Sequence, residues 1–325
     1  RTFRLDPKEV EQLTGTASSV PRVLARTRRS RSESFFGALG PMQLRSTRDF
    51  RVVSVESLGH SAPRHEGKYI LPDLQSRLGA VWDQGRRGTC AIFACTALMH
   101  YLNGSGGERP SPQFLYHQAK MWDRKPNTEG THVATAIQIM ADGHLSGAGS
   151  GWATSDSGVP PESAWPYVPH ANPSNHAYTP PPADMHERIY EGPRWGNTRG
   201  EVISFSQFSP SIVDELRTVL RREEIPVAAS LHLFPNMNNE YTRRTGRMFM
   251  PLEGEEVSGA HAWLVAGFDD EEGVFLVRNS WGKQWAPENP WRLPGYALIP
   301  YRYFSQYGYG SFSMRYTTEI QGVRV

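Results

Sequence analysis

The residue pattern predicts an α+β chain in two lobes, helices first and strands second. Three observations carry that expectation. No charged residue occurs from Thr89 through Gly107, and a helix apolar on every side is a buried one. Two more helix-shaped segments follow it. Beyond Ile225 the texture changes to short apolar runs separated by turn residues, the pattern of strands. With 325 residues and 38% hydrophobic content, the chain can bury one large core or two smaller ones.

Residues 1–69 are expected to form an N-terminal arm. Their apolar periodicity is weak, and Arg, Ser, Gly and Pro are frequent. Within them, Pro7–Leu13 fits a short helix capped by Asp6. Residues 70–200 are assigned to the helical lobe. A helix is expected at 90–102, ended by Asn103 and Gly104. A second spans 111–122, with Ser111 as cap and Pro112 at its first position. A third carries an inner stripe of Val133, Ile137 and Met140 and stops at Gly143. Residues 144–158 read as a small-residue loop, and 173–200 as a long connection between lobes. Residues 201–325 are assigned to the strand-rich lobe. It opens with an amphipathic helix at 211–222. Strands follow at Ile225–Leu233, Ala262–Phe268, Val274–Val277, Tyr296–Ile299 and Gly310–Arg315.

Bulk properties narrow the function classes. The formal net charge is +2, so no global field points to nucleic acid. Residues 22–32 hold five arginines but little aromatic interleaving, which suits a solvated arm. No apolar run approaches the ~18 residues a membrane-spanning helix needs. The two cysteines, Cys90 and Cys95, would point about 140° apart on a helix, so no disulfide is expected. That disfavours a disulfide-stapled extracellular domain and is compatible with a reducing compartment.

One stretch carries chemistry. Residues 81–95 read VWDQGRRGTCAIFAC, with a glycine-loosened turn leading into Cys90 at a helix mouth. The thiolate is the reactive form of cysteine, and a helix N-terminus favours it. Cys95, inside the apolar helix, reads as a buried structural thiol. The base is sought downstream. AWLVAGF and VFLVRNS flank DDEEG, the pattern of an antiparallel hairpin. A turn centred near Asp270 sets His261 opposite Asn279, whose amide oxygen can fix the imidazole tautomer. Gln84, six residues before the thiol, can supply an oxyanion donor together with the Cys90 N–H. The histidines lack metal-ligand spacing, and the mechanism calls for no metal or cofactor.

DQGRRGTCAIFA resembles the nucleophile segment of papain-like cysteine peptidases. SGAHAWLVAGFD resembles their histidine segment and VRNSWGKQW their asparagine segment. EGTHVATAIQIM, GVPPESAWPY and GYALIPYRYF extend the resemblance over about residues 70–317. It implies a papain-like two-lobe fold, with an antiparallel β-barrel-like second lobe and a groove between lobes. It implies Cys90 as nucleophile, His261 as general base and then acid, Asn279 as orienter and Gln84 as oxyanion donor. Gly130 would meet the substrate backbone, and Trp281 would shield the His–Asn hydrogen bond. The partner would be a peptide or protein substrate. Residues 1–66 occupy the place of the family's removable prosegment, so the arm is a candidate to block or regulate the groove.

This sequence departs from the family at Arg87, where a disulfide cysteine is usual, and at Ala91, where an aromatic is usual. Loop 144–157 looks like an insertion, and APENPWRLPG after Trp285 is longer than usual. A same-triad acyltransferase, a modifier-removing enzyme and a non-catalytic binding module remain as alternatives.

Overall fold

The structure is a computed structural model describing residues 44, 50–104, 108–125, 127–142, 159–170, 184 and 200–316. The helix at Pro7–Leu13, the loop 144–158 and nearly all of the 173–200 connection lie outside the described residues.

The helical lobe follows the sequence closely. Helix α1 spans Leu74–Leu78 and α2 spans Cys90–Leu102. Every residue of α2 from Cys90 to Tyr101 is buried, as its charge-free composition requires. Helix α3, Pro112–Asp123, is capped by Ser111, whose hydroxyl accepts the Phe114 N–H at 3.1 Å. Helix α4, Val133–Asp142, buries Val133, Ile137 and Met140. Helix α5, Ser211–Thr218, runs into a π-helical turn at Val219–Glu223, which ends the segment at Glu224 in a left-handed conformation.

Among the described residues eight strands form one sheet: β1 Phe50–Ser54, β2 Lys68–Ile70, β3 Gly200–Ser204, β4 Val227–Leu233, β5 Gly259–Asp269, β6 Val274–Arg278, β7 Tyr296–Pro300 and β8 Gly308–Tyr316. The order is β1-β3-β8-β4-β5-β6-β7, with β2 on β5. Strand β4 covers one edge of β5 from Gly259 to Val265, and β2 takes over that edge from Gly267 to Asp269. At the changeover Gly267 lies so close to Tyr69 that a Cβ would fall 2.5 Å from its carbonyl oxygen, so only glycine fits. The short helices α6, Glu240–Thr245, and α7, Tyr301–Tyr307, complete the lobe.

The chain is α+β as expected, and its sheet is not closed. Among the described residues the sheet is an open path with β1 and β7 at its ends, and it is mixed because β1 pairs with β3 in parallel. Nor do residues 50–69 stand outside the packed lobes, because they contribute β1 and most of β2. Parallel pairing joins segments about 150 residues apart, so no local hairpin signal marks them. The segment between these strands is held as well. Arg217 Nη2 donates to the carbonyls of Pro63 and Arg64 and to Asp270, and the Glu66 N–H donates to Asp270 at 2.7 Å.

Helix α2 lies across β5 and β4, so the core of one lobe is continuous with the face of the other. Arg278, at the end of β6, strengthens the junction. Its guanidinium donates to the carbonyls of Leu78, Gly79 and Ala80 at the end of α1. The Leu78 and Gly79 carbonyls are among those a helix end leaves without intrahelical partners.

Candidate active site

Cys90 is the first residue of α2, following Thr89 at the cap position. A thiol there faces the partial positive charge of the helix N-terminus. The loop before it is held at several points. Tyr167 bonds the Thr89 hydroxyl at 2.6 Å and donates to the Gln84 carbonyl at 2.9 Å. Cys95 is also fully buried. Its sulfur lies 3.9 Å from the Val133 carbonyl, and burial pushes its thiol pKa up. Both cysteines are free thiols.

His261 lies on β5, one strand of the sheet against which α2 packs. Its Nε2 is 2.8 Å from Asn279 Oδ1. The pair is real, but the register differs from the expected one. The hairpin turn occupies 270–273, and a bulge falls between Val265 and Gly267. Leu264 therefore pairs with Arg278, and Asn279 leaves the ladder beyond it. The displacement from the expected register amounts to two residues, which preserves the face of the sheet, so the side chains still meet. Asn279 Oδ1 also accepts the Ser280 N–H at 2.8 Å, which fixes the amide orientation.

The imidazole is walled by indoles. Trp281 lies 4.6 Å from it, ring centroid to centroid, and Trp263 meets it edge-on at the same separation. Burial pushes the His261 pKa down to about 4, against the opposing pull of the Asn279 hydrogen bond.

Gln84 reaches the same cluster from the other lobe. Its N–H donates to the Ser280 carbonyl at 2.8 Å, and its Oε1 accepts the Ser280 hydroxyl at 2.5 Å. Its Nε2 donates to the Arg87 carbonyl at 2.6 Å. Asp83 and Trp281 form a β-bridge beside it. Gly130 has a φ of 97°. Its N–H donates to the Tyr116 hydroxyl at 3.1 Å, and its carbonyl accepts Lys120 Nζ at 2.9 Å. The helical lobe thus holds both backbone polar groups of Gly130. Among the described residues no three His, Cys, Asp or Glu side chains converge as a metal site.

Over 90% of its length the chain matches 99% of xylellain, a cysteine protease from Xylella fastidiosa, with a TM-score of 0.65 and 23% identity. Digestive procathepsin L2 from the larval midgut of Tenebrio molitor matches with a TM-score of 0.55 and 20% identity, over 87% of this chain and 78% of that one. Procathepsin B from Trypanosoma congolense matches with a TM-score of 0.54 and 13% identity, over 88% and 87%. The fold is papain-like. In sequence, an uncharacterized peptidase C1-like protein of Acanthamoeba polyphaga mimivirus is 24% identical over 240 residues, 72% of this chain and 67% of that one. No protein-family model matches the chain.

Within this papain-like fold the structure adds residues that sequence reading did not single out. Ser280 couples Gln84 to Asn279, and its place directly after Asn279 was the available signal. Tyr167 ties Gln84 to Thr89, and only tertiary contact reveals that. Tyr309, on β8, is buried, and its hydroxyl pKa is pushed up by burial and, secondarily, by the Cys90 thiol. Arg87, marked in the sequence as a departure from the family, is fully buried.

Proposed function

We propose that this chain is a cysteine peptidase that hydrolyses peptide bonds through Cys90, His261 and Asn279. The observation that carries the reading is the 2.8 Å contact between His261 Nε2 and Asn279 Oδ1, on a strand packed against the helix that Cys90 begins. With Nε2–H donated to Asn279, Nδ1 is the nitrogen able to take the thiol proton. The Cys90 thiolate then attacks the peptide carbonyl, and the proton on Nδ1 passes to the departing amine. This leaves an acyl-enzyme, which a water activated by the same nitrogen hydrolyses. The oxyanion would be met by the Cys90 N–H and by Gln84, whose amide nitrogen carries a second hydrogen beyond the one given to Arg87. Trp281 would keep water from the His–Asn hydrogen bond.

The protease neighbours support the reaction class and a peptide or protein substrate. Two of those neighbours are procathepsins, which supports reading residues upstream of β1 as a regulatory extension. Peptide-library cleavage with the full chain and with a chain lacking residues 1–49, each paired with Cys90→Ala, tests both readings. Cleavage that persists in Cys90→Ala would overturn the mechanism. Equal activity of full and shortened chains would overturn regulation by the arm. Passage of the acyl group to an added amine in preference to water would favour the transferase alternative.

A further inference from the structure

The loop from Gln84 to Cys90 carries both proposed oxyanion donors, and it contains an arginine with no exposed side chain. Arg87 is surrounded on every side. Its Nε lies 3.4 Å from Glu129 Oε1, and its Nη1 donates to Gln113 Oε1 at 3.3 Å and to the Val168 carbonyl at 3.1 Å. The guanidinium also lies over the Tyr116 ring, 4.9 Å from its centroid. Burying a cation at this depth costs several kcal/mol unless an anion and hydrogen-bond acceptors surround it. Glu129 is that anion, and its side chain remains one-third exposed.

Glu129 does more than balance charge. Its Oε2 accepts the Gly88 N–H at 2.8 Å, two residues before the nucleophile, and the Tyr116 hydroxyl at 2.9 Å. Tyr116 in turn accepts the Gly130 N–H. One carboxylate therefore connects the nucleophile loop, helix α3 and the segment leading into α4. Gly88 offers no side chain to restrain its own backbone, so this charge-assisted bond is the restraint there.

We propose that Glu129, held by Arg87, is a positioning residue for the reaction of Cys90. The pair forms a charged clamp that sets the backbone direction of Gly88–Cys90 and so aims the Cys90 N–H. It stands at the position where the resemblance leads one to expect a disulfide cysteine, so the loop is fixed without a redox-sensitive bond. This inference rests on the peptidase reading for its consequence but not for its test.

The test is the rate at which iodoacetamide alkylates Cys90 in the full chain, compared with Cys90→Ala and normalised to the number of labelled sites. Peptide turnover is measured in parallel. Glu129→Ala should lower both the per-site alkylation rate and kcat roughly 10- to 100-fold with KM little changed, the scale of one lost charge-assisted hydrogen bond. Glu129→Gln keeps an acceptor for the Gly88 N–H but takes the anion from Arg87, and should recover part of the rate. A merely structural role would reduce the number of labelled sites and leave the rate at each site unchanged. A per-site rate for Glu129→Ala within twofold of the parent, or no recovery in Glu129→Gln, would overturn the proposal. If Glu129→Ala does not fold, the per-site rate of Glu129→Asp, whose shorter side chain draws back from Gly88, decides instead: a rate equal to the parent's overturns the proposal, and a lower one supports it. A parent chain that alkylates but cleaves no peptide would defeat the peptidase reading and leave the clamp testable.

Discussion

His261 and Asn279 are 18 residues apart in the chain and 2.8 Å apart in space, although no ladder pair joins them. Asn279 sits just past the last paired residue of β6, where its side chain turns to the ring and its Oδ1 also takes the Ser280 N–H. An acceptor anchored in this way holds the imidazole through one nitrogen, and in the proposed mechanism the other nitrogen moves the proton.

Asn279→Ala should therefore lower kcat more than it raises KM. The lost orienting bond is worth about 1.5–3 kcal/mol if the ring carries charge in the transition state, or roughly 10- to 100-fold in rate. Steady-state kinetics on a good peptide substrate checks this. An effect confined to KM would mean that Asn279 contributes only to substrate binding.

The two cysteines should separate cleanly. Cys90→Ala should abolish turnover and thiol labelling. Cys95→Ala removes a small buried group and should cost roughly 1 kcal/mol of stability, comparable to deleting one buried methyl, while turnover per folded molecule is retained. Denaturant unfolding combined with active-site labelling reads both. Equal catalytic loss in the two variants would remove Cys90 from its role.

Gln84→Ala should reduce kcat by up to roughly 100-fold if its amide meets the oxyanion. Ser280→Ala leaves the amide in place but removes the hydroxyl that bonds Gln84 Oε1, so its effect should be smaller and in the same direction. If Gln84→Ala changes only stability, Gln84 is a loop strut and the Cys90 N–H acts without it.

Acid should destabilise the fold through buried histidines. Burial lowers His261 and His117 from the ordinary 6.5 to about 4. Between those values the unfolded chain binds more protons than the folded one. Stability is therefore full above about pH 6.5 and is lost as pH falls toward 4. The loss is on the order of 3 kcal/mol for each group. Urea unfolding of Cys90→Ala at several pH values, where no thiolate can offset the imidazolium, measures the slope. His117→Gln should flatten it, and an unchanged slope would remove His117 as a source.

Removing residues 1–70 should destabilise the chain by roughly 2–4 kcal/mol relative to removing 1–49 alone. The extra cut strips β1 from β3 and β2 from β5, and it loses buried Val55 and the partly buried Val52, Val53, Tyr69 and Ile70. Matching unfolding midpoints for the two truncations would show that the segment contributes nothing to the sheet.

The sequence by itself determined what local physics controls. Ser111 and Pro112 start a helix because cap and fixed φ act within one turn. The charge-free run ends as a helix buried throughout because nothing in it can face water. The DDEEG turn returns the chain on itself because two apolar runs flank it. Cys90, His261 and Asn279 stood out as candidates for the same reason, each lying near the edge of such an element. Tertiary structure decided what depends on distant partners. Strand β1 needs β3, far along the chain, and the short β2 needs an edge of β5 left open beyond β4. The two-residue register of the histidine hairpin follows from a bulge that no turn rule sets. In sequence Arg87 stands out only as a departure from the family's usual cysteine. Only the assembled belt of Glu129, Gln113, Val168 and Tyr116 gives a cation enough partners to be buried there.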